Sequence, residues 1–296
     1  MAILVDGSSR AIVQGITGTV GRNVAGLMVE GVTTVVGGVT PGRGGQEVHG
    51  LPVFNSCHEA VAETGADCSF VAVPAPFARE ACLEAVDAGL KTITVYTEEI
   101  PIADSIIMAA YARARGSVVL GTNAAGCVSV GMTNISDLND RYLTKGPVGV
   151  VAKSGAITYE VAGSLRKSGL GVSTVVCLGG DPVLATYHRD ILERFEADAE
   201  TELVVMLGEI GGRSELAAAE FVAAMKTPVV ALILGRAAVP GKRMGHAGAL
   251  LGEEDENWQS KTEALRRAGA VIAANILEIG EKARQTLERQ KTSRNA

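Results

Sequence analysis

The segment GKRMGHAGA, residues 241–249, sets one imidazole, His246, in a run of small residues four positions after Lys242. Histidine is nucleophilic near neutral pH and leaves readily from phosphorus, so this setting, in a loop after a strand and with cationic side chains upstream, suits a transient phosphoryl carrier. The residues alone also admit an ordinary surface-loop histidine. Upstream, the apolar run ELVVML ends in Gly208-Glu209-Ile210-Gly211-Gly212. A carboxylate at that dry position can accept a hydrogen bond from an imidazole, fixing its tautomer and stabilising its cation. The alternatives are that Glu209 caps a neighbouring helix or pairs with Lys242 or Arg243.

Three other segments bear on chemistry. After the run PVGVVA, Lys153-Ser154-Gly155-Ala156 opens a helix carrying Tyr159 and Glu160. Ser154 is read as its cap, with the free N–H groups of the helix start as a phosphate seat. Near the N-terminus, the first apolar run leads into Gly15-Ile-Thr-Gly18-Thr-Val-Gly21. Glycines at a strand-to-helix corner let backbone approach a pyrophosphate, but this G-x-x-G-x-x-G spacing is not the dinucleotide one, and a tight turn without ligand stays open. An NAD site would carry an acid about 20 residues further on. Here that stretch reads VVGGVTPGRGG, with Arg43 expected to be buried among glycines and to hold a ribose phosphate of the kind NADP and coenzyme A carry. Val73-Pro74-Ala75-Pro76 and Tyr96-Thr97-Glu98-Glu99 are further strand-end loops that suit the rest of such a ligand.

The elements that must position these residues are repeated βα units. Short β-branched runs (AIVQGI, TTVVGGV, CSFVAVP, KTITVYT, SVVLGTN) alternate with helical stretches near residues 22–29, 58–64, 77–88 and 102–115. A second series, PVGVVA, STVVCLGG, ELVVML, PVVALILG and AVIAAN, follows the polar stretch NISDLNDRYLTKG. The division between two domains is expected there, between Ala124 and Gly146.

Composition bounds the remaining possibilities. With 296 residues, 47% hydrophobic and 20% charged, the chain is globular and long enough for two domains. A net charge of −6 without a long Lys/Arg run gives no footprint for nucleic acid. Five scattered cysteines suggest neither a zinc site nor a disulfide framework. No apolar run reaches the roughly 18 residues of a membrane helix, and the N-terminus lacks signal-peptide character, so a cytoplasmic protein without membrane attachment is expected.

The motifs GITGTVG, VVGGVTPGRGG, GLPVFN, VPAPF, GGDP, GEIGG and GKRMGHAGA, in this order over nearly the whole chain, resemble the α subunit of succinyl-CoA synthetase. The resemblance implies an α/β protein with an N-terminal CoA-binding Rossmann-like domain, 1–125, and a flavodoxin-like ligase domain, 126–296. It implies an ATP-grasp β subunit that binds ATP or GTP with Mg²⁺, in an αβ or α2β2 complex. Carried over by motif, His246 is phosphorylated and Glu209 is its carboxylate partner. Thr17, Gly18, Thr19, Val20, Pro74, Tyr96, Thr97 and Glu98 contact coenzyme A, as does Arg43 in place of a family lysine. Asn123, Ser154, Gly155 and Tyr159 fall at substrate positions.

The implied reaction is a relay. Phosphoryl passes among nucleotide, carboxylate and His246, the order of these transfers varying with direction, and the thiol of coenzyme A attacks the acyl phosphate.

The chain departs from the family at Gly121-Thr-Asn-Ala-Ala-Gly126, at Ala152-Lys-Ser-Gly-Ala156 where an arginine fork becomes a lysine, and at Glu253–Glu256 with Trp258. These departures are read as clustering around the acyl group, so malate, citrate or a sulfonated carboxylate is considered beside succinate. An NADP oxidoreductase would explain Arg43 but finds no catalytic acid or base in the second half. A non-catalytic CoA-binding regulator would have no use for GEIGG and GHAGA together.

Overall fold

The structure, a computed structural model, describes residues 3–239, 242, 244–251 and 256–294. The chain divides into two compact units.

The first unit comprises Leu4–Asp140 with Cys177–Thr186. Its elements are β1 (Arg10–Gln14), α1 (Thr19–Glu30), β2 (Thr34–Val39), β3 (Glu47–Val48), β4 (Leu51–Phe54), α2 (Cys57–Thr64), β5 (Cys68–Val71) and α3 (Ala75–Asp87). They continue with β6 (Thr92–Val95), α4 (Ile102–Arg115), β7 (Val118–Leu120), β8 (Gly126–Ser129) and β9 (Thr133–Ser136). The sheet runs β3-β4-β2-β1-β5-β6-β7, with β3 antiparallel to β4 and the other neighbours parallel. Without β3, this is the doubly wound order 3-2-1-4-5-6. Strand order reverses between β1 and β5, and there the carboxyl ends of the strands part to leave a crevice. Strands β5 and β6 are buried at every position, as a parallel sheet covered on both faces requires.

The hairpin β8–β9 belongs to this unit through polar bonds. Ser129 Oγ donates to the Val5 carbonyl (2.6 Å), Thr33 Oγ1 to that of Asn134 (2.8 Å) and Thr94 Oγ1 to that of Ile135 (3.1 Å). Asn134 and Ser136, read from sequence as part of a polar connection, are buried members of a ladder.

The second unit comprises Ile3, Arg141–Val176 and the described chain from Tyr187 onward. Its elements are β10 (Lys145–Ala152), α5 (Gly155–Lys167), β11 (Val172–Cys177), α6 (His188–Glu196), β12 (Leu203–Glu209), α7 (Ser214–Val222), β13 (Val229–Leu234), α8 (Trp258–Arg267), β14 (Val271–Ile272) and α9 (Leu277–Arg294). The strands order β14-β13-β12-β10-β11. Numbered along the chain from β10 this is 2-1-3-4-5, the flavodoxin-like order, with its reversal between β10 and β12. The β12 residues Leu203–Glu209 are all buried, which makes the side chain of Glu209 a charge at the rim of a dry layer. Among the described residues, no helix is long and apolar enough to cross a membrane.

Candidate active site

In the second unit the crevice between β10 and β12 collects the chemistry. Glu209 is the last residue of β12 and His246 sits on a turn closed by Met244 N–H to the Ala249 carbonyl (3.0 Å) and Ala249 N–H to the His246 carbonyl (3.1 Å). The turn reaches β12 because Gly211, at φ +82°, has no side chain, and a Cβ there would meet the Gly248 carbonyl oxygen at 2.2 Å. His246 Nδ1 lies 2.9 Å from Glu209 Oε2. A carboxylate can only accept, so Nδ1 carries the proton and Nε2 keeps its lone pair. The imidazole is 27% exposed and Glu209 only 9%, so the carboxylate is held in the protein while the ring faces outward.

Beside the pair lies a cavity of about 180 Å³ lined by Ser154, Ile157, Ile210, Leu234 and Gly235. Ser154 is the N-cap residue of α5, yet its side chain makes no capping hydrogen bond, against expectation. Its carbonyl instead accepts from Thr158 Oγ1 (3.1 Å), and the start of α5, beside the cavity that His246 lines, has no side-chain cap from Ser154. Gly155 is the first helical residue, while the Tyr159 ring stacks edge-on to Tyr142 at 5.8 Å and is not among the lining residues. Among the described residues, Glu209 caps no helix, and the partners of its carboxylate are His246 and Lys153 rather than Lys242. Arg243 and residues 253–255 lie outside the described residues.

Behind Glu209 is a layer of buried charge that motif reading did not reveal. Lys261, on α8 and fully buried, donates from Nζ to the carbonyls of Glu209 and Gly211 (2.8 Å each) and to Glu215 Oε2 (2.6 Å). Glu215 Oε1 accepts the Glu209 N–H at 3.1 Å. Lys153 Nζ stands 3.6 Å from Glu209 Oε1 and 3.4 Å from Glu215 Oε1. His188 is enclosed, its Nδ1 2.8 Å from Ser214 Oγ and its Nε2 3.0 Å from the Leu207 carbonyl. Two ammonium and two carboxylate groups therefore balance around the end of β12, as buried charges must.

Burial raises the Glu215 pKa, but Lys153, His188 and Lys261 outweigh it and hold the carboxyl at about 2. Burial pushes His188 below its ordinary 6.5. Both depressed groups take up protons on unfolding, so their stabilisation is present above the unfolded values of 6.5 and 4.5 and is lost as pH falls. The melting temperature is expected to fall from about pH 6.5 and again between about pH 4.5 and 2, and His188→Gln to flatten the upper limb in a calorimetric series.

In the first unit the reversal between β1 and β5 holds a cavity of about 580 Å³, lined by Gly15, Thr17, Gly18, Thr40, Val73, Pro74 and Phe77 among others. A Cβ on Gly21 would sit 2.2 Å from the Gly15 carbonyl oxygen, so the glycine spacing lets α1 start hard against β1. Gly18, the N-cap of α1, supplies no side-chain acceptor and the first turn has no acid, so the helix start is open to an anion. Thr17 Oγ1 bonds Thr40 Oγ1 at 3.2 Å, tying the glycine loop to the end of β2. Thr19 and Val20 lie on the exposed first turn of α1.

Arg43 is not buried among glycines. Asn55 Oδ1 holds the N–H groups of Gly42 and Gly44 at 3.0 Å each, which turns the loop outward and leaves Arg43 exposed and off the cavity lining.

The other residues singled out occupy neighbouring strand ends. Thr97 Oγ1 donates to the Val73 carbonyl (2.6 Å), Tyr96 stacks on Phe70 at 5.5 Å, and Glu98 is exposed. Asn123 N–H donates to the Thr97 carbonyl (3.0 Å). Asp181 accepts from Thr122 Oγ1 (2.6 Å) and Asn123 Nδ2 (3.3 Å).

The family model for a CoA binding domain matches residues 6–99, and that for CoA-ligase matches residues 151–271. The chain is 49% identical to succinate–CoA ligase [ADP-forming] subunit alpha 1 of Archaeoglobus fulgidus, over 97% of this chain and 99% of that one. It is 46% identical to the corresponding alpha subunit of Aquifex aeolicus, over 95% and 93%. The chain belongs to the succinate–CoA ligase α-subunit family. Among solved structures, ATP citrate lyase of Methanothrix soehngenii, in complex with citrate and coenzyme A, superposes with a TM-score of 0.89 at 24% identity. That match covers 99% of this chain and 52% of the lyase, so the fold recurs there as about half of a longer polypeptide.

Proposed function

We propose that this α subunit, with its β subunit, joins a small carboxylate to coenzyme A at the expense of a nucleoside triphosphate, carrying phosphoryl on His246. The observation that carries this reading is the 2.9 Å pairing of His246 Nδ1 with Glu209 at a sheet reversal, beside an uncapped helix start. Nε2 attacks the terminal phosphorus of a nucleotide held by the β subunit. The bond to the diphosphate oxygen breaks and the diphosphate leaves. Glu209, accepting a hydrogen bond from Nδ1–H, stabilises the positive ring of the phosphohistidine. The substrate carboxylate then attacks that phosphorus, the N–P bond breaks and Nε2 regains its electron pair. Finally the thiol sulfur, losing its proton, attacks the acyl carbon and inorganic phosphate departs.

Coenzyme A fits the first unit, whose 580 Å³ cavity meets an open helix start through Gly18. Thr17, Gly18 and Pro74 line the site, and Thr19, Val20, Tyr96, Thr97 and Glu98 extend it. Arg43, exposed, reaches a phosphate at the surface end of the ligand. ATP or GTP, with Mg²⁺, is assigned to the β subunit. The α5 start, Ser154 and Gly155, is assigned to the acid, with succinate first and another small di- or sulfo-carboxylate second. The five cysteines are buried and free, consistent with a reducing cytoplasm.

The test is nucleoside diphosphate release by the co-expressed complex, with ATP or GTP and a panel of succinate, malate, citrate and sulfoacetate. Release dependent on both acid and coenzyme A is expected. Coenzyme A at 100 times its Kd should also stabilise the fold by about 2.7 kcal/mol. No release with any acid, or stabilisation by NADP in place of coenzyme A, would overturn the reading.

A further inference from the structure

We infer that Lys153 is a positioning residue of the phosphoryl-carrying pair, holding the Glu209 carboxylate against His246, and does not select the acid. This rests on the proposed role of His246. Lys153 follows β10, next to the α5 start, at the point where an acid-binding cation would be expected from sequence. Its ammonium turns the other way: it is 9% exposed and lies between Glu209 Oε1 and Glu215 Oε1, at 3.6 and 3.4 Å. The space it borders is a recess of about 10 Å³, barely one water, whereas the 180 Å³ cavity next to His246 is lined without it. No carboxylate substrate fits the recess.

Glu209 Oε1 supplies the second observation. It is buried and has no hydrogen-bond partner among the described residues, while Oε2 is occupied by His246. Among those residues, the cation that stands near Oε1 is Lys153, just beyond hydrogen-bond length. The Glu209 backbone is fixed independently, its N–H by Glu215 and its carbonyl by Lys261. What remains free is rotation of the carboxylate, and Lys153 governs it by Coulomb attraction from the side opposite the imidazole. Drawn toward Lys153, Oε1 leaves Oε2 facing Nδ1, which keeps the proton there and the lone pair on Nε2. Because Glu215 competes for the same ammonium, Lys153 holds Glu209 without saturating it.

The experiment uses the complex containing ¹⁵N-histidine-labelled α subunit, as wild type, Lys153→Met and Lys153→Arg. Ring ¹⁵N shifts report the tautomer of His246, and quenched flow reports phosphoenzyme formation. For Lys153→Met we expect a mixed tautomer and phosphoenzyme formation about 10- to 100-fold slower, the size of losing an orienting partner. The KM for the acid should stay at its wild-type value, and Lys153→Arg should restore both tautomer and rate. An unchanged tautomer and rate in Lys153→Met overturns the assignment. So does a raised KM for the acid with phosphoenzyme formation intact.

If Lys153→Met does not fold, Lys153→Arg decides alone: a wild-type tautomer and KM supports positioning, and an altered KM with a wild-type tautomer overturns it. A wild type that never forms the adduct, but whose His246 tautomer still depends on Lys153, defeats the proposed function and leaves the positioning role standing. An adduct on His246 with no dependence on Lys153 does the reverse.

Discussion

Replacing His246 by alanine is expected to remove acid-labile phosphate from the subunit entirely and to lower acyl-CoA formation by at least about 10⁴-fold, the scale on which losing a nucleophile is felt when binding groups remain. The other nucleophilic side chains described near the sheet cannot substitute. His188 is enclosed, with both ring nitrogens engaged by Ser214 and Leu207. All five cysteines are buried, and burial alone holds the Cys82 thiol at about 12. The turn itself should persist, because it is closed by backbone bonds. The buried Glu209 carboxylate loses its hydrogen-bond partner, so a stability loss of about 1–3 kcal/mol is expected, and the variant is assayed below its own melting transition. Incubation of the purified complex with γ-labelled nucleotide, followed by an acid and a base quench, separates histidine phosphate from other linkages. Acid-labile label retained on the alanine variant would remove His246 from the mechanism.

Much of this arrangement could be read from local pattern, because parallel strands buried on both faces leave continuous apolar runs and their carboxyl ends leave loops. The helix expected at 102–115 is α4, Ile102–Arg115, and the runs before Glu209 and Ser154 are β12 and β10. Glu209 and His246 are 37 positions apart, yet one ends a strand and the other follows a strand of the same sheet, which is enough to bring them to the same edge.

What stayed hidden was polar burial, which has no periodic signature. Lys261 sits in WQSKTEALRR, a helix whose charges suggest a solvated face, and only the fold carries it to Glu215, 46 residues away. Asn134 and Ser136 look like linker residues and are ladder residues, because each finds its partners locally or from Thr33 and Leu138. Arg43 fails in the opposite direction. A run of glycines indicated close packing, but Asn55 turns that loop toward solvent, and a side chain 11 to 13 residues away is not a local signal.

Glu209→Gln separates the carboxylate's charge from its shape, and its effect is expected to be nearly as large as that of losing the histidine. Glutamine fills the same space but brings an amide nitrogen that can only donate. If that nitrogen faces His246, it forces Nδ1 to accept and moves the ring proton to Nε2, the atom that must attack phosphorus. If the amide oxygen faces His246 instead, the tautomer is kept but the positive phosphohistidine loses its counter-charge. Either orientation impairs the transfer, and a loss of about 10² to 10⁴ in phosphoenzyme formation follows by analogy with other imidazoles deprived of an orienting carboxylate.

The same substitution leaves Lys153 and Lys261 facing Glu215 alone, an uncompensated buried positive charge that should cost about 3–5 kcal/mol of stability. The kinetic loss therefore has to be measured below the variant's own melting transition. Rapid-quench phosphorylation at saturating nucleotide, with nucleotide affinity determined separately, distinguishes the cases. Wild-type phosphorylation by Glu209→Gln would mean that the 2.9 Å contact only holds the loop in place, and that the histidine acts without it.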